Sequence, residues 1–236
     1  MQRQTKSFSE LFSDYPHTSL TDTLEAWFAR LLERFGPQGW WPADHPFEVA
    51  VGAILTQNTA WKNVEKAIWS LKKAGVLSAR AMLELEDARL AELIRPAGYF
   101  NVKAARLKNF LRWLVERTGG DIAALKGEDT WSLRNELLAI KGIGPETADS
   151  ILLYALEMPI FVVDAYTIRA LLRHNIIDQD ADYHQVQELF MENLPEDATL
   201  FNEYHALFVA LGKENCRARR PLCSGCPLEE SAGPRL

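Results

Sequence analysis

Apolar residues recur at spacings of three and four along most of the chain, and alternation is scarce. The pattern therefore predicts helices and almost no strand. Residues 20–35 form one such stretch, opened by Thr21 as an N-cap and stopped by Gly36 and Pro37. Prolines at 37, 42 and 46 keep the next ten residues irregular. The pattern then predicts helices over 47–56 and 61–73, two short ones within 78–94, and a turn over 95–101. A longer helix follows over 102–118, then helices over 129–139 and 146–157 joined by Lys141-Gly142-Ile143-Gly144-Pro145. The segment 161–175 starts as a short apolar run and becomes helical near Ala165. Helices over 183–193 and 198–212 complete an all-α fold without internal repeats.

Composition changes this picture little. The 236 residues are 47% hydrophobic and 25% charged, which is ordinary for a folded chain and enough for a core without covalent staples. No run approaches 18 apolar residues, so no membrane helix is expected. The first seventeen residues lack the apolar core of a secretory signal. Three cysteines crowded near the C-terminus do not make a disulfide framework, and a cytosolic setting is expected.

The net charge of −6 is unusual for a chain that grips nucleic acid. The field of one face decides such binding, however, and the cations do cluster. Lys103, Arg106, Lys108, Arg112 and Arg117 share the helix over 102–118, and Arg217, Arg219 and Arg220 lie close together near the C-terminus. Either cluster alone reads first as a solvated surface.

The most informative segment is 137–152. Gly142 and Gly144 allow a tight reversal between two amphipathic stretches, and Pro145 suits the first turn of the second helix. Such a turn aims backbone N–H groups outward at a helix N-terminus, which suits a phosphodiester. Leu137, Ile140, Gly142, Ile143, Gly144, Thr147 and Ala148 all fit the helix-hairpin-helix of DNA-binding proteins, which the segment resembles. Val162-Val163-Asp164 ends twenty residues past Gly144. Hairpin and aspartate together resemble the base-excision DNA glycosylases of the endonuclease III superfamily, over roughly residues 25–230.

The resemblance implies two helical domains. One is a six-helix barrel over 47–158 that ends in the hairpin; the other combines 1–46 with 159–236. A cleft between them would hold a flipped base, with Asp164 as the catalytic carboxylate. Gly142, Ile143, Gly144 and Thr147 would hold DNA phosphate, and Gln57 would fill the gap left by the flipped base. Bifunctional relatives carry a lysine amine where this chain has Glu146, and a glutamate cannot form an imine. A monofunctional enzyme using water is therefore expected. An N-alkylated purine, which leaves with little acid assistance, suits such an enzyme.

Trp40, Trp41, Pro42 and Phe47, with the later Lys213, resemble the base pocket of the 3-methyladenine DNA glycosylase III branch, and Glu146 matches that branch too. The tryptophans could equally be core packing. Cys216, Cys223 and Cys226 reproduce the first three ligands of the family's four-cysteine iron–sulfur motif, but the fourth position is Ala232. A [4Fe-4S] cluster with a foreign ligand, a three-iron cluster, a zinc ion or three free thiols all remain open. The expected partner is double-stranded DNA holding a damaged base, bound by a monomer associated with the nucleoid. An endonuclease III-like glycosylase and lyase for oxidised pyrimidines or mismatches is the alternative enzyme. A non-catalytic helix-hairpin-helix protein would need neither Asp164 nor Gln57.

Overall fold

The computed structural model describes residues 19–229 together with Phe8 and Phe12, and the described residues contain helices and no strand. The chain divides into two units, Met1–Trp40 with Pro159–Leu236, and Trp41–Met158. The first break falls at Trp41, six residues before the expected Phe47. The reason is local packing. Trp41 meets Trp61 edge-to-face at 4.9 Å, Asp44 pairs with Lys72 at 2.7 Å, and His45 caps the helix that begins at Pro46.

In the first unit, α1 spans Ser19–Phe35. It begins ahead of Thr21, which therefore sits inside the helix rather than at its cap. The Thr21 hydroxyl is buried and lies 3.4 Å from Asn193 Oδ1. The unit's other helices are α9 (Ala165–Arg173), α10 (Tyr183–Asn193) and α11 (Ala198–Glu214). Their core is aromatic. Phe161 stacks on Phe190 at 3.8 Å, and Tyr204 stacks on Phe208 at 4.9 Å while donating to Leu24 O at 2.8 Å. Residues 159–164 run as extended chain, and Ile160 through Val163 are buried. The apolar run thus fills the core without joining a sheet. Its Phe161 carbonyl accepts from the Gln187 amide at 2.7 Å, so the buried backbone is not left orphaned there.

The second unit is built around α2 (Pro46–Thr56), buried continuously from Phe47 to Leu55. A helix buried all round must be enclosed by others. Around it come α3 (Trp61–Lys73), α4 (Ala79–Glu84), α5 (Asp87–Leu93), α6 (Phe100–Thr118), α7 (Thr130–Ala139) and α8 (Pro145–Ser150). The last helix continues as a π-helical turn, Ile151–Ala155, where a single α-helix over 146–157 is expected from pattern. Seven α-helices, rather than six, therefore belong to this unit among the described residues.

The basic stretch on α6 is not one solvated face. Lys103 and Lys108 are buried, and Arg117 pairs with Glu128 and Glu136 at 2.7 and 3.4 Å. No helix of the described residues is long and apolar enough to cross a membrane.

Candidate active site

Asp164 is the N-cap of α9, as its position before a helical stretch suggests. Its Oδ1 accepts from the backbone N–H groups of Tyr166 and Thr167, at 2.9 and 2.8 Å, and from the Thr167 hydroxyl at 3.0 Å. These three donors fix the carboxylate and leave Oδ2 for other work. Oδ2 lies 3.5 Å from His205 Nε2 on α11. Burial works against the ionised form, but His205 and the Thr167 donors outweigh it, and the carboxyl is held below its ordinary value. Asp164 is therefore a carboxylate at neutral pH, able to stabilise positive charge or accept a proton and poorly suited to donate one.

Pattern reading does not find His205. It sits 41 residues from Asp164 inside an apolar helical stretch, with no local motif around it. The same helix supplies three more parts. Gly212 gives Tyr166 room, because a Cβ there would run into the tyrosine ring. Lys213 Nζ lies over the Trp40 ring at 5.6 Å. Glu203, buried and with its carboxyl pushed up by that burial, accepts from the Gln38 N–H at 2.7 Å and so ties down the segment leading to Trp40. Trp40 and Lys213, both expected at a base pocket, lie together in this unit.

In the second unit, the hairpin joins α7 to α8. Only Gly142 uses the left-handed freedom of glycine, with φ +101°, and a Cβ there would overlap the Arg106 stem. Gly144 is extended, at φ −99°, and caps α8 with open space around its Cα. Its bare surface lets another backbone come close. Ile143 and Thr147 point inward and are buried, so their side chains are not displayed for phosphate contact. A buried pair fastens the two helices, with Arg134 Nε and Nη2 on Asp149 Oδ1 and Oδ2 at 2.6 and 3.1 Å.

Gln57, expected at a DNA gap, follows the C-terminus of α2. Its Nε2 donates to Gly142 O at 3.1 Å and to Thr147 Oγ1 at 2.9 Å, and its Oε1 accepts from Arg106. The amide is engaged with the hairpin.

A family model for HhH-GPD superfamily base excision DNA repair proteins matches residues 51–196, a span that holds the hairpin and Asp164. The chain belongs to that superfamily. A Methanocaldococcus jannaschii protein assigned as a DNA repair glycosylase is 51% identical over 201 residues, covering 85% of this chain and 91% of that protein. Endonuclease III of Sulfolobus acidocaldarius is 28% identical, covering 78% of this chain and 80% of its own length. Among solved structures, the 3-methyladenine DNA glycosylase of H. pylori bound to 1,N6-ethenoadenine superposes with a TM-score of 0.72 at 30% identity. That match covers 84% of this chain and 98% of the other. An endonuclease III–DNA complex matches in fold with a TM-score of 0.78 at 20% identity, over 90% of this chain and 94% of the other.

The remaining expected pocket residues of this HhH-GPD glycosylase do not share one environment. Trp41 and Pro42 line a cavity of about 220 Å³ with Glu48, Trp61, Trp69 and Lys72. Phe47 is buried in the core of α2, and Glu146 is exposed on the first turn of α8.

Cys216, Cys223 and Cys226 line one small cavity of about 20 Å³ with Arg173, His174 and Glu229. No three His, Cys, Asp or Glu side chains among the described residues are placed to hold one metal ion, and Ala232 lies outside those residues. The three cysteines supply one thiolate fewer than a four-cysteine cluster takes. Arginines fasten this loop. Arg169 Nε donates to Cys216 O at 2.7 Å, and Arg173 Nη1 donates to Cys216 Sγ and Arg217 O at 3.2 and 2.8 Å. The cysteine loop is thereby fastened to α9, the helix that Asp164 caps.

Proposed function

We propose that this DNA glycosylase is monofunctional and hydrolyses the N-glycosidic bond of an N-alkylated purine, such as 3-methyladenine, flipped out of duplex DNA. The observation that carries this reading is the state of Asp164, a fixed, ionised carboxylate whose Oδ1 is saturated and whose Oδ2 is not. As the glycosidic bond lengthens, positive charge builds on the deoxyribose, and a carboxylate held in place stabilises it without reorganising. The same oxygen can orient or deprotonate the attacking water. Because Asp164 is ionised, it does not protonate the departing base. A purine alkylated on a ring nitrogen is already cationic and leaves as a neutral molecule.

The absence of an amine at position 146 supports hydrolysis rather than lyase chemistry, since Glu146 cannot form a Schiff base. Trp40 offers an aromatic face for stacking on the base, with Lys213 placed over that ring. The phosphodiester would be met by the backbone of the hairpin, at the start of α8, where Gly144 brings no side-chain cap. The likeness to the H. pylori 3-methyladenine enzyme agrees with the alkylpurine assignment.

The test is chromatography of bases released from methylated duplex DNA, with strand nicking scored without heat or alkali. The reading expects 3-methyladenine, intact strands and no borohydride-trapped complex. A trapped complex, or release confined to oxidised pyrimidines, contradicts it and favours the endonuclease III-like alternative.

A further inference from the structure

The first turn of α6 holds a cation that the reaction does not use. Lys103 is 1% exposed. Its ammonium donates to Leu55 O at 2.8 Å, to Ala97 O at 2.8 Å and to the Thr59 hydroxyl. Thr59 Oγ1 in turn donates to Ala97 O at 2.6 Å. No carboxylate is among these partners. The charge is offset by carbonyls, one of them from the last turn of α2, where the helix dipole is negative.

These contacts join three pieces of chain: the end of α2, the turn over 56–60, and the turn over 95–99. Both turns are conformationally costly. Asn58 has φ +52° and Tyr99 has φ +44°, and neither is glycine. Both residues are exposed, and Tyr99, at 74%, is the most exposed large apolar side chain among the described residues. A strained turn that displays an aromatic ring to water stays formed only if its base is fixed. The three donors of Lys103 and the Thr59 hydroxyl supply that fixation. Arg106, one turn further along α6, holds Gln57 against the hairpin.

We propose that Lys103 is a positioning residue for damage recognition. Its ammonium locks the turns bearing Asn58 and Tyr99 into one preformed edge that meets a duplex distorted at a damaged base. The proposal rests on the reading of the protein as a base-flipping glycosylase. Its contribution would be to the preference for distorted over regular duplex, since none of its own hydrogen bonds reaches the hairpin. Burial, with some help from the Arg106 charge, pushes the Lys103 amine down to about 8. The groups facing it from α2 and the two turns are the uncharged Leu55 and Ala97 carbonyls and the Thr59 hydroxyl. A neutral amine keeps only two N–H donors and drops one acceptor.

The experiment is equilibrium binding of the full chain to a duplex containing an uncleavable abasic analogue and to an undamaged duplex, between pH 6.5 and 9.5. Wild type is compared with Lys103→Met and Thr59→Val. Lys103→Met is expected to lose about tenfold in the preference for the analogue, the worth of one charge-assisted hydrogen bond, with undamaged-duplex affinity unchanged. The wild-type preference should fall as pH rises through about 8, and that of Lys103→Met should stay flat. If Lys103→Met does not fold, Thr59→Val and the wild-type pH profile decide. A wild-type preference flat across this range, or kept in full by a folded variant, overturns the role of Lys103 alone. A wild type with no preference for the analogue overturns this role and the reading it rests on together.

Discussion

At the scale of single residues, the function turns on how Asp164 is held. Its two oxygens have separate tasks, one capping α9 and the other facing His205. Exchanging His205 for Gln removes the imidazole that draws the carboxyl down, so the acid limb of the pH–rate profile should move up while base release falls less than on loss of Asp164. A kcat profile between pH 3 and 7 would show it, and an unmoved limb would detach His205 from the chemistry. The depressed carboxyl also bears on stability. Its contribution is present above the unfolded carboxylate value of about 3.9 and is lost as pH falls through the lower folded value. Lys103 acts in the opposite range. With its folded value near 8 and an ordinary value of 10.5, the unfolded chain binds more protons between them, so this residue makes stability rise with pH across that window. The cap role of Asp164 was legible in sequence because an aspartate directly before a helical stretch is a favoured N-cap. His205 was not, because the contact that defines it is made across two helices.

At the scale of elements, the two hairpin glycines make different demands. Gly142→Ala meets both a positive φ and the Arg106 stem, and should cost about 1–3 kcal/mol by thermal or denaturant unfolding. Gly144→Ala meets neither, so its stability should match wild type while DNA affinity drops, because the new methyl stands where a phosphate would approach. Equal losses of stability in both variants would contradict this division. Breaking the Arg134–Asp149 pair with Asp149→Ala should cost about 3–5 kcal/mol, as it strands a buried guanidinium. Helical pattern placed most of these elements within two residues, including 61–73 and 183–193 at both ends. It placed the start of α1 too late, since Thr21 resembles a cap but its hydroxyl is turned toward Asn193. It also read α6 as a basic surface. Spacing reports which residues share a face but not what lies opposite, and the carbonyls of Leu55, Leu83, Leu85 and Ala97 draw Lys103 and Lys108 inside.

At the scale of the whole molecule, a chain with net charge −6 must still hold a polyanion. With Lys103 and Lys108 buried and Arg117 paired, the free cations are fewer than the sequence suggests. Backbone donors at the hairpin and the exposed Arg217, Arg219 and Arg220 are then expected to carry more of the grip. Duplex affinity should fall with salt, but with a log–log slope shallower than the six to ten phosphate contacts of a strongly basic binder. Arg169 and Arg173 fasten the cysteine loop through protein contacts, so chelation should leave folding and base release unchanged. A chelator-induced loss of circular dichroism would show that a bound metal supports the loop.

The central claim is that an ionised Asp164 carries hydrolysis of the glycosidic bond. Single-turnover release of 3-methyladenine from methylated duplex, comparing wild type with Asp164→Asn, tests it most directly. Asparagine keeps the cap acceptor but has no charge, so α9 should persist and the abasic analogue should still bind. Release should fall by about 10²–10⁴. Release by Asp164→Asn within a few-fold of wild type, with the variant folded and DNA-bound, would contradict the account.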